Sequence, residues 1–453
     1  MKNYAIILAS GTGERSGLDI PKQFVKIAGK TVLEHTLSVF QKNENIDNII
    51  VVTHFSYLDF VSDLIEKNNF NKVSNVVKGG ESRRESSFIG INTIKDDNAK
   101  VLIHDAVRPF VTSDIINNCI KALDNYKAVD VAITSADTII KVDSNDIIDE
   151  IPKRNLLRRG QTPQAFDLKT IKKAHELANK TDNITVTDDC GLILQFKLAD
   201  VYVVKGDDSN IKITYPIDIA IADKLFQLKT YNENLNNLTE LKNKTIVVVG
   251  GFSGIGEAIC KIAKDFGAKI YPFSRRNGVD VSDINTLKEA LSQVYSKENK
   301  IDCVINTAGI LNYGSINERT AEDIETEIKT NYLGCINTAQ AAFEYLKESK
   351  GNLLFYSSSS YTRGRKNYAV YSSSKAAVVN LTQALAEEWE EYGIGVNVIV
   401  PERTATSMRF KNFGKEPEES LLSAEFVANV SLNTLLDDIT GQVISVNKNN
   451  EYD

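Results

Sequence analysis

Two segments of this 453-residue chain combine a β-branched apolar run with a glycine-rich turn, a combination that suits the binding of nucleotide phosphates. The first runs from Ile6 to Arg15 (IILASGTGER) and the second from Ile246 to Gly256 (IVVVGGFSGIG). Glycine has no Cβ, so backbone N–H groups can approach phosphate oxygens closely, and the N-terminus of a following helix adds positive potential. The two glycine spacings differ, which excludes an internal repeat and indicates two separate nucleotide sites.

A third group of residues has the types needed to reduce a carbonyl. Tyr371 and Lys375 are one helical turn apart, so both side chains lie on one helix face, where the ammonium group is expected to lower the pKa of the phenol. Tyr371 would then donate a proton to a carbonyl oxygen. An exposed helical pair has the same spacing, and the upstream glycine loop together with the serine run Ser357–Ser360 favours the catalytic interpretation.

The elements that must position these groups alternate between short β-branched runs and helical patterns. The runs are Ile49–Thr53, Val101–His104, Val129–Thr134, Val201–Val204, Ile246–Val249, Cys303–Asn306, Leu353–Ser357, Val396–Val400 and Val443–Val446. This alternation predicts parallel sheets with helices on both faces, that is, an α/β fold with two doubly wound domains. We predict a first domain at 1–228, an asparagine-rich linker at 229–242 and a second domain at 243–453.

Composition narrows the classes of partner. A net charge of −7 argues against broad binding to nucleic acids or anionic membranes, whereas local clusters of arginine and lysine suit small anionic substrates. The five cysteines include no Cys-x-x-Cys pair, so neither a disulfide framework nor a zinc site is indicated. No apolar run approaches the roughly 20 residues of a membrane span. We therefore expect a cytoplasmic protein that binds small molecules.

Five ordered motifs follow the first glycine loop. They are Pro21–Phe24 (PKQF), Gly79–Arg83 (GGESR), His104–Pro109 (HDAVRP), Gln161–Gln164 (QTPQ) and Asn210–Thr214 (NIKIT). Through them, the chain from about Tyr4 to Asp223 resembles the sugar-nucleotide cytidylyltransferases, which include methylerythritol-phosphate and ribitol-5-phosphate enzymes. Ala128–Asp130, Asp137–Ile140 and Ile151–Pro152 are more similar to the ribitol-phosphate branch. The resemblance implies cytidylyl transfer from CTP to a polyol phosphate, with release of pyrophosphate.

The same resemblance implies roles for individual residues. Arg15 and Lys22 would hold the triphosphate and the developing charge as catalytic residues, and Asp105 would ligate Mg²⁺. The residues implied to bind CTP are Leu8, Ala9, Gly11, Gly13, Gly80, Arg83, Ser86 and Asp105, and those implied to bind the polyol phosphate are Arg108, Arg154, Thr162 and Lys212. Two polyanions must meet, so positioning and charge neutralisation are the chemistry required.

Several neighbouring residues keep a structural interpretation. Arg158 and Arg159 are interpreted as a solvated basic surface, and His104 as a core histidine beside Asp105. Asp137 is equally consistent with a turn cap and with a position near the metal.

In the second half, Asn306–Gly309 (NTAG), Asn331 and Gly364 accompany the tyrosine motif. From about Lys244 to Val446 the chain resembles the short-chain dehydrogenases/reductases. In that family the serine partner precedes the tyrosine by thirteen positions, which selects Ser358. The resemblance implies Ser358, Tyr371 and Lys375 as catalytic residues, with Asn331 supporting a water relay to the lysine. Two sequence positions depart from the family pattern: Val249 replaces a threonine, and Pro401-Glu402 replaces Pro-Gly.

The coenzyme would lie on the second glycine loop. The residues implied to bind it are Gly250, Ser253, Gly254, Ile255, Gly256, Ser274, Arg275, Asn306, Ala308 and Gly309. Ser274 stands where an acidic residue would bind a bare ribose 2′-OH, and Arg275 suits a 2′-phosphate, so NADPH is favoured. The alternative is that Arg275 and Arg276 only belong to a surface loop.

Reduction to a polyol phosphate and its cytidylylation are consecutive reactions, and fusion raises the local concentration of the shared intermediate. The chain resembles bacterial bifunctional enzymes that supply CDP-ribitol for capsule or teichoic-acid-type polymers. The resemblance implies that ribulose 5-phosphate is reduced by NADPH and that the resulting ribitol 5-phosphate reacts with CTP. Both families commonly form dimers, so a homodimer is expected. The alternatives are another acceptor such as methylerythritol phosphate, a purely structural second half, and a nucleotide sensor without turnover.

Overall fold

The computed structural model describes residues 1–11, 20–96, 98–182, 184, 186–228, 238–437 and 439–448. The chain divides into two compact units, Met1–Ala222 and Asp223–Asp453. Of the predicted linker at 229–242, residues 229–237 lie outside the described residues. Leu238–Leu241 form a short 3-10 helix, and Leu238 and Leu241 are buried in a core of the second unit. No described helix is both long and apolar enough to cross a membrane.

The first unit is built on one large sheet with two small hairpins. Its strands are β1 (Lys2–Ala9), β2 (Lys26–Ile27), β3 (Lys30–Thr31), β4 (Asn48–Thr53), β5 (Val73–Lys78), β6 (Ala99–Asp105), β7 (Ala128–Thr134), β8 (Lys141–Val142), β9 (Ile148–Glu150), β10 (Arg158–Asp167) and β11 (Val201–Lys205). Its helices are α1 (Val32–Lys42), α2 (Leu58–Lys67), α3 (Arg83–Thr93), α4 (Ser113–Ala122), α5 (Leu168–Ala178), α6 (Asp189–Gln195) and α7 (Pro216–Leu228), the last of which contains the division between the units.

The large sheet has the order β11-β7-β10-β6-β1-β4-β5. Strand β10 runs antiparallel to both of its neighbours, and the other pairs are parallel. The doubly wound class predicted from the sequence is confirmed, but the expectation of a wholly parallel sheet is wrong for this unit. The sequence of β10 begins RRGQTPQ, and glycine and proline disfavour strands, so local pattern gave no sign of it.

The second unit contains one fully parallel sheet. Its strands are β12 (Thr245–Val249), β13 (Lys269–Phe273), β14 (Cys303–Asn306), β15 (Asn352–Tyr356), β16 (Gly395–Pro401) and β17 (Val443–Val446), in the order β13-β12-β14-β15-β16-β17. Its helices are α8 (Gly254–Asp265), α9 (Ile284–Glu298), α10 (Ala321–Ile328), α11 (Gly334–Ser349), α12 (Ala369–Glu388), α13 (Ser407–Phe413) and α14 (Ala424–Thr434). The strand order reverses beside β12, the place where doubly wound sheets bind ligands.

Each sheet has a core on both faces because successive strand residues point in opposite directions. Ile7 of β1 packs in the core formed by α1, α2 and α4, and Ile6 packs in the core formed by α3, α5 and α6. In β12, Val247 faces α9, α11 and α12, whereas Val248 faces α8 and α14. Burial on both faces fixes the registers of the strands and therefore the loops at their carboxyl ends.

Candidate functional site

The first candidate site lies at the carboxyl ends of β1, β5 and β6, where the glycine-rich turn, Gly80 and Asp105 are found. Gly13 and Arg15, both expected to contact CTP, lie outside the described residues. Leu8 and Ala9 are buried at the end of β1, and Gly11 is exposed.

Asp105, the last residue of β6, is the centre of a cluster of cations. Its carboxylate lies 2.9 Å from Lys212 Nζ, 3.4 Å from Arg83 Nε and 3.8 Å from Arg108 Nε. Burial would raise the pKa of Asp105, but the charges of Arg83 and Lys212 outweigh burial and hold the pKa well below its usual range. Four residues from three separate motifs thus meet at one point, with an excess of positive charge.

Contacts between loops fix the phosphate-binding turn. Ser10 Oγ lies 2.8 Å from Ser86 Oγ, and the Gly80 N–H donates to Ser86 Oγ at 3.2 Å. Gln23 Nε2 donates to the carbonyl oxygens of Ala9 and Gly11 at 2.8 and 2.9 Å. A Cβ on Gly79 would lie 2.5 Å from Ser10 Cβ, so this position requires glycine.

The Asn210–Thr214 segment positions cations from two other motifs. Lys22 Nζ donates to the Thr214 carbonyl at 2.9 Å, and Arg108 Nη1 donates to the Asn210 carbonyl at 2.8 Å. Because Lys212 lies between these two carbonyls in sequence, one short segment places Lys22, Arg108 and Lys212 on the same site. Sequence order alone does not reveal this arrangement.

Thr162 on β10 reaches the cluster through His104. His104 Nε2 must carry a proton, because the Arg108 carbonyl oxygen 3.1 Å away can only accept. Burial lowers the pKa of His104 to about 4, so the ring is neutral and Nδ1 accepts from the Thr162 hydroxyl at 2.9 Å. The Asp105 N–H donates to Thr162 Oγ1 at 3.2 Å. The core interpretation of His104 is confirmed, and the ring also orients Thr162.

Sequence reasoning missed the residues that hold Arg83. Arg83 Nη1 lies 2.7 Å from Asp189 Oδ2, and Asp189 Oδ1 accepts from Ser87 Oγ at 2.7 Å and lies 2.9 Å from His175 Nε2. Asp189, His175 and Ser87 are all buried. The only sequence signal was the adjacent pair Asp188-Asp189, which is too common to identify a site. Arg83 is thus clamped between two carboxylates, Asp105 and Asp189.

Arg154 is not part of the cluster. It is exposed on the segment after the β8–β9 hairpin, where Nη1 donates to the Ala136 carbonyl at 3.3 Å. Arg158 and Arg159 are exposed on β10, which confirms their interpretation as basic surface. Asp137 is also exposed, and its backbone carbonyl accepts from Ser135 Oγ at 2.9 Å.

The donor set at Asp105 fits only one mode of magnesium binding. Among the described residues, no group of three or more His, Cys, Asp or Glu side chains could hold a metal. Mg²⁺ is, however, commonly held by one or two carboxylates together with substrate phosphates and water. Asp105 supplies one ionised carboxylate, so the residues fit an ion that is bound largely through the triphosphate.

The second candidate site is a cavity of about 320 Å³ at the carboxyl ends of β12, β14, β15 and β16. The lining includes nine of the ten residues implied to bind the coenzyme: Gly250, Ser253, Gly254, Ile255, Gly256, Ser274, Arg275, Ala308 and Gly309. Asn306 does not line it; this side chain is buried, donates to Thr338 Oγ1 at 2.9 Å and accepts from the Ala308 N–H at 2.9 Å. Asn306 therefore shapes the loop that lines the cavity.

The glycine loop fits a dinucleotide. Gly250 has a φ of +86°, and a Cβ there would lie 2.5 Å from Thr307 Oγ1. A Cβ on Gly256 would lie 2.4 Å from the Gly250 carbonyl oxygen. Helix α8 begins at Gly254, and Ser253–Gly256 line the cavity, so the first turn of this helix faces it.

Ser358, Tyr371 and Lys375 all line this cavity. Ser358 forms a side-chain hydrogen bond with Tyr371. Lys375 Nζ donates to the Tyr356 carbonyl at 2.8 Å and lies 5.7 Å from the centroid of the Tyr371 ring. The serine selected by its spacing is therefore the one that contacts the tyrosine.

The expectation that Lys375 lowers the pKa of Tyr371 is wrong for the chain as described. Burial raises the pKa of Tyr371 to about 12, and the hydrogen bond from Ser358 opposes this only in part. Burial also lowers the pKa of Lys375. Burial is the largest influence on both groups, and it disfavours the charged form of each. Tyr371 is consequently protonated at neutral pH.

Asn331 lies in a turn of π-helix, Lys329–Leu333, between α10 and α11. Its side chain donates to the Ile310 carbonyl and accepts from the Ile310 N–H, both at 2.8 Å. A Cβ on Gly309 would lie 3.4 Å from Asn331 Oδ1 and 3.5 Å from Lys375 Nζ. Asn331 is thus fixed near the lysine, and π-turns of this kind are frequent at functional sites.

The end of β13 presents one of its two arginines to the cavity. Ser274 caps the short 3-10 helix Arg275–Asn277, accepting from the Arg276 N–H at 3.1 Å. Arg275 lines the cavity, whereas Arg276 donates to the Phe252 carbonyl at 3.5 Å. Arg275 is therefore placed to meet a coenzyme, and Arg276 supports the loop.

Two family models match the chain. One, described as 2-C-methyl-D-erythritol 4-phosphate cytidylyltransferase, matches residues 4–228, and the other, described as short chain dehydrogenase, matches residues 244–417. The chain is 47% identical to a bifunctional ribulose 5-phosphate reductase/CDP-ribitol pyrophosphorylase of Haemophilus influenzae. The alignment covers 100% of this chain and 97% of that protein. Both halves and their order are therefore shared with that protein.

Shorter relatives match the first half alone. A 2-C-methyl-D-erythritol 4-phosphate cytidylyltransferase of Thermobifida fusca is 37% identical, over 49% of this chain and 92% of that protein. A crystal structure of 4-diphosphocytidyl-2C-methyl-D-erythritol synthase from Anaerococcus prevotii matches 50% of this chain and 98% of its own, with 35% identity and a TM-score of 0.45.

Proposed function

Because this chain belongs to the family of bifunctional ribulose 5-phosphate reductase/CDP-ribitol pyrophosphorylases, we propose that its two sites make CDP-ribitol in consecutive reactions. The observation that carries the proposal is the full-length relative at 47% identity. Both sites support it, since the Asp105 cluster and the Ser358–Tyr371 pair are each assembled. The first reaction is ribulose 5-phosphate + NADPH + H⁺ → ribitol 5-phosphate + NADP⁺, and the second is ribitol 5-phosphate + CTP → CDP-ribitol + pyrophosphate.

In the reductase site, NADPH supplies the hydride when it is bound along the glycine loop. Tyr371 donates its phenolic proton to the carbonyl oxygen of the substrate, and a pKa of about 12 keeps that proton available at neutral pH. The Ser358 hydroxyl donates to the same oxygen and orients the carbonyl. Lys375 and Asn331 hold the part of the cavity that contains Tyr371. They also connect Tyr371 to a route by which its phenolic proton is replaced.

In the transferase site, a phosphate oxygen of ribitol 5-phosphate attacks the α-phosphorus of CTP, and the bond to the pyrophosphate leaving group breaks. We propose that Arg83 and Ser86 line the cytidine side, and that Lys212, Arg108 and Thr162 hold the acceptor phosphate. Mg²⁺, held by Asp105, would neutralise charge on the triphosphate. Lys22 stabilises the charge that moves onto the leaving group.

We propose that Arg275 sets the preference for NADPH; it lines the cavity beside Ser274, which stands where an acidic residue would bind a ribose 2′-OH. The change Arg275→Ala is expected to raise KM for NADPH by about 10- to 100-fold, because a charge-assisted contact to the 2′-phosphate is worth about 1.5–3 kcal/mol. KM for NADH should not change. Steady-state rates with both coenzymes measure this, with Arg276→Ala as matched control. An equal loss with NADH would contradict the assignment.

A homodimer is proposed from the surface around the β8–β9 hairpin. Apolar side chains are exposed along this segment: Ile139, Ile140, Val142, Ile147, Ile148, Ile151 and Leu156. Exposed apolar clusters of this kind mark protein–protein contacts. In a dimer, the segment around the β8–β9 hairpin of one copy would also bring its Arg154 to the acceptor site of the other copy, since Arg154 does not reach the acceptor site of its own chain. Light scattering should give twice the chain mass for wild type and a smaller mass for Ile148→Asp/Leu156→Asp. A wild-type monomer would refute the proposal.

The decisive experiment supplies CTP, Mg²⁺ and ribulose 5-phosphate and measures pyrophosphate release with and without NADPH. Release that requires NADPH is expected, because ribitol 5-phosphate rather than ribulose 5-phosphate is the proposed acceptor of the cytidylyl group. No release in either condition, with supplied ribitol 5-phosphate also inert, would refute the substrate assignment.

The five free cysteines and the nucleotide substrates suit the reducing cytoplasm. We propose that capsule or teichoic-acid-type synthesis consumes the product.

A second candidate acceptor is methylerythritol phosphate. It is favoured by the family model that matches residues 4–228. Pyrophosphate release from CTP with each acceptor in parallel distinguishes the two, and we expect ribitol 5-phosphate to be the better acceptor. The full-length relative carries more weight because it shares the reductase half as well.

A further inference from the structure

We propose that Arg365 binds the phosphate group of the ketose substrate in the reductase cavity; this rests on the proposed function and names its phosphate subsite. Arg365 lines the same cavity as Ser358 and Tyr371. It precedes α12, the helix that carries Tyr371, and its carbonyl accepts from the Tyr368 N–H at 3.1 Å. The guanidinium and the phenol are therefore positioned by one continuous segment.

The charge of Arg365 is available to a ligand. Its Nη2 donates to Ser359 Oγ at 3.2 Å, and no described carboxylate lies within ion-pair distance of it. A guanidinium has five N–H donors in a planar fork that matches phosphate oxygens. The hydrogen bond to the uncharged Ser359 hydroxyl orients the guanidinium and leaves most of its N–H donors available to a phosphate.

A second arginine in the lining is already neutralised. Arg409 makes two contacts with the Glu416 carboxylate, Nε at 2.6 Å and Nη2 at 2.8 Å, and its guanidinium carbon lies 4.0 Å from the Phe413 ring centroid. Phe413 also stacks on Tyr368 with the rings at 10°. Arg409 thus packs against Phe413, and its charge is paired with Glu416.

The geometry suits a short phosphorylated ketose. Ser359, which Arg365 contacts, directly follows Ser358, so the guanidinium is bound to the residue next to the one whose hydroxyl would hold the carbonyl. In ribulose 5-phosphate the carbonyl carbon and the phosphorus are five bonds apart, a separation of roughly 6 Å from bond lengths of about 1.5 Å. Tyr368, which also lines the cavity, packs edge-to-face on Tyr313 and stacks on Phe413.

The test compares a phosphorylated and an unphosphorylated substrate. Arg365→Ala should raise KM for ribulose 5-phosphate by about 10- to 100-fold with little change in kcat, since a charge-assisted contact to phosphate would be lost. With D-ribulose, which lacks the phosphate, kcat/KM should equal that of wild type. Arg365→Lys should restore part of the phosphate preference, because the charge returns without the fork. The matched control is Arg363→Ala, which removes an exposed arginine that does not line the cavity.

A second readout does not depend on turnover. Inorganic phosphate is titrated into the complex with saturating NADPH, and the fluorescence of the bound coenzyme is followed. We expect saturable binding by wild type that Arg365→Ala weakens at least tenfold. Pyrophosphate release from CTP and ribitol 5-phosphate should be unchanged in the variant, which shows that the protein is folded.

Two results would overturn the subsite. One is a variant Arg365→Ala that still prefers ribulose 5-phosphate to ribulose as strongly as wild type. The other is loss of the preference in Arg403→Ala instead, since Arg403 also lines the cavity. If wild type fails to oxidise NADPH with ribulose 5-phosphate, the proposed substrate is wrong, and the phosphate titration then decides on Arg365 by itself.

Discussion

Replacing Tyr371 by phenylalanine is expected to reduce NADPH oxidation by about 10²–10⁴-fold, the usual contribution of a positioned general acid. The change removes one oxygen atom, and the ring stays in place. Because the phenol pKa is about 12, the hydroxyl carries its proton at neutral pH and is the group able to protonate the carbonyl oxygen. Stopped-flow or steady-state absorbance of NADPH with ribulose 5-phosphate gives the rate.

The same Tyr371→Phe protein provides its own control. Pyrophosphate release from CTP and supplied ribitol 5-phosphate should continue at the wild-type rate, because the phenol lies in the cavity of the second unit. Coenzyme binding should also persist, since the glycine loop is untouched. Equal loss of both activities in a folded protein would contradict two independent sites.

The reductase site was largely predictable because its residues are fixed by short-range spacing. Tyr371 and Lys375 lie on one helix, and Ser358 follows the strand β15 that ends beside that helix. The spacing could not predict the pKa of Tyr371, which depends on the balance between burial and the neighbouring charges and hydrogen bonds. The pKa of Tyr371 depends on how completely distant residues exclude water from it, which is a property of the assembled cavity.

Arg83, Asp105, Arg108 and Lys212 were predicted to lie in one transferase site and do meet, whereas Arg154 lies away from them and the residues that hold Arg83 were missed. Asp105 and Lys212 are 107 positions apart in the sequence and yet 2.9 Å apart in the structure. The family resemblance carried by the ordered motifs located both residues, since Asp105 belongs to the HDAVRP motif and Lys212 to the NIKIT motif. His175 on α5 and Asp189 on α6 hold Arg83 in place, and both belong to segments whose sequences show only ordinary helical patterns.

Strand β10 shows why local pattern fails where tertiary context decides. Its ends are arginine and aspartate, and its middle contains Gly160 and Pro163, so neither alternation nor β-propensity indicates a strand. It forms because β10 lies between β6 and β7 and makes backbone hydrogen bonds with both strands. That pairing brings Thr162 to His104 and Asp105, so an element that could not be predicted completes the predicted site.

Changing Lys22 to alanine is expected to reduce cytidylyl transfer by about 10²–10³-fold, as the loss of one preorganised charge at a developing oxyanion typically does. Lys22 Nζ is held by the Thr214 carbonyl at 2.9 Å, so the charge is in place before the substrates bind and costs no reorganisation during the reaction. The variant Lys22→Arg keeps the charge and should retain more activity than Lys22→Ala. Pyrophosphate release from CTP and ribitol 5-phosphate measures both variants.

NADPH oxidation by the Lys22→Ala protein should match wild type, the reverse of the Tyr371→Phe result. Lys42→Ala, an exposed lysine at the end of α1, is the matched control and should leave both activities unchanged. In a mixture of Lys22→Ala and Tyr371→Phe proteins, each supplies the reaction that the other lacks, so pyrophosphate release from ribulose 5-phosphate, NADPH and CTP should recover. Failure to recover, with each protein active in its remaining reaction, would show that ribitol 5-phosphate does not pass between molecules through solution.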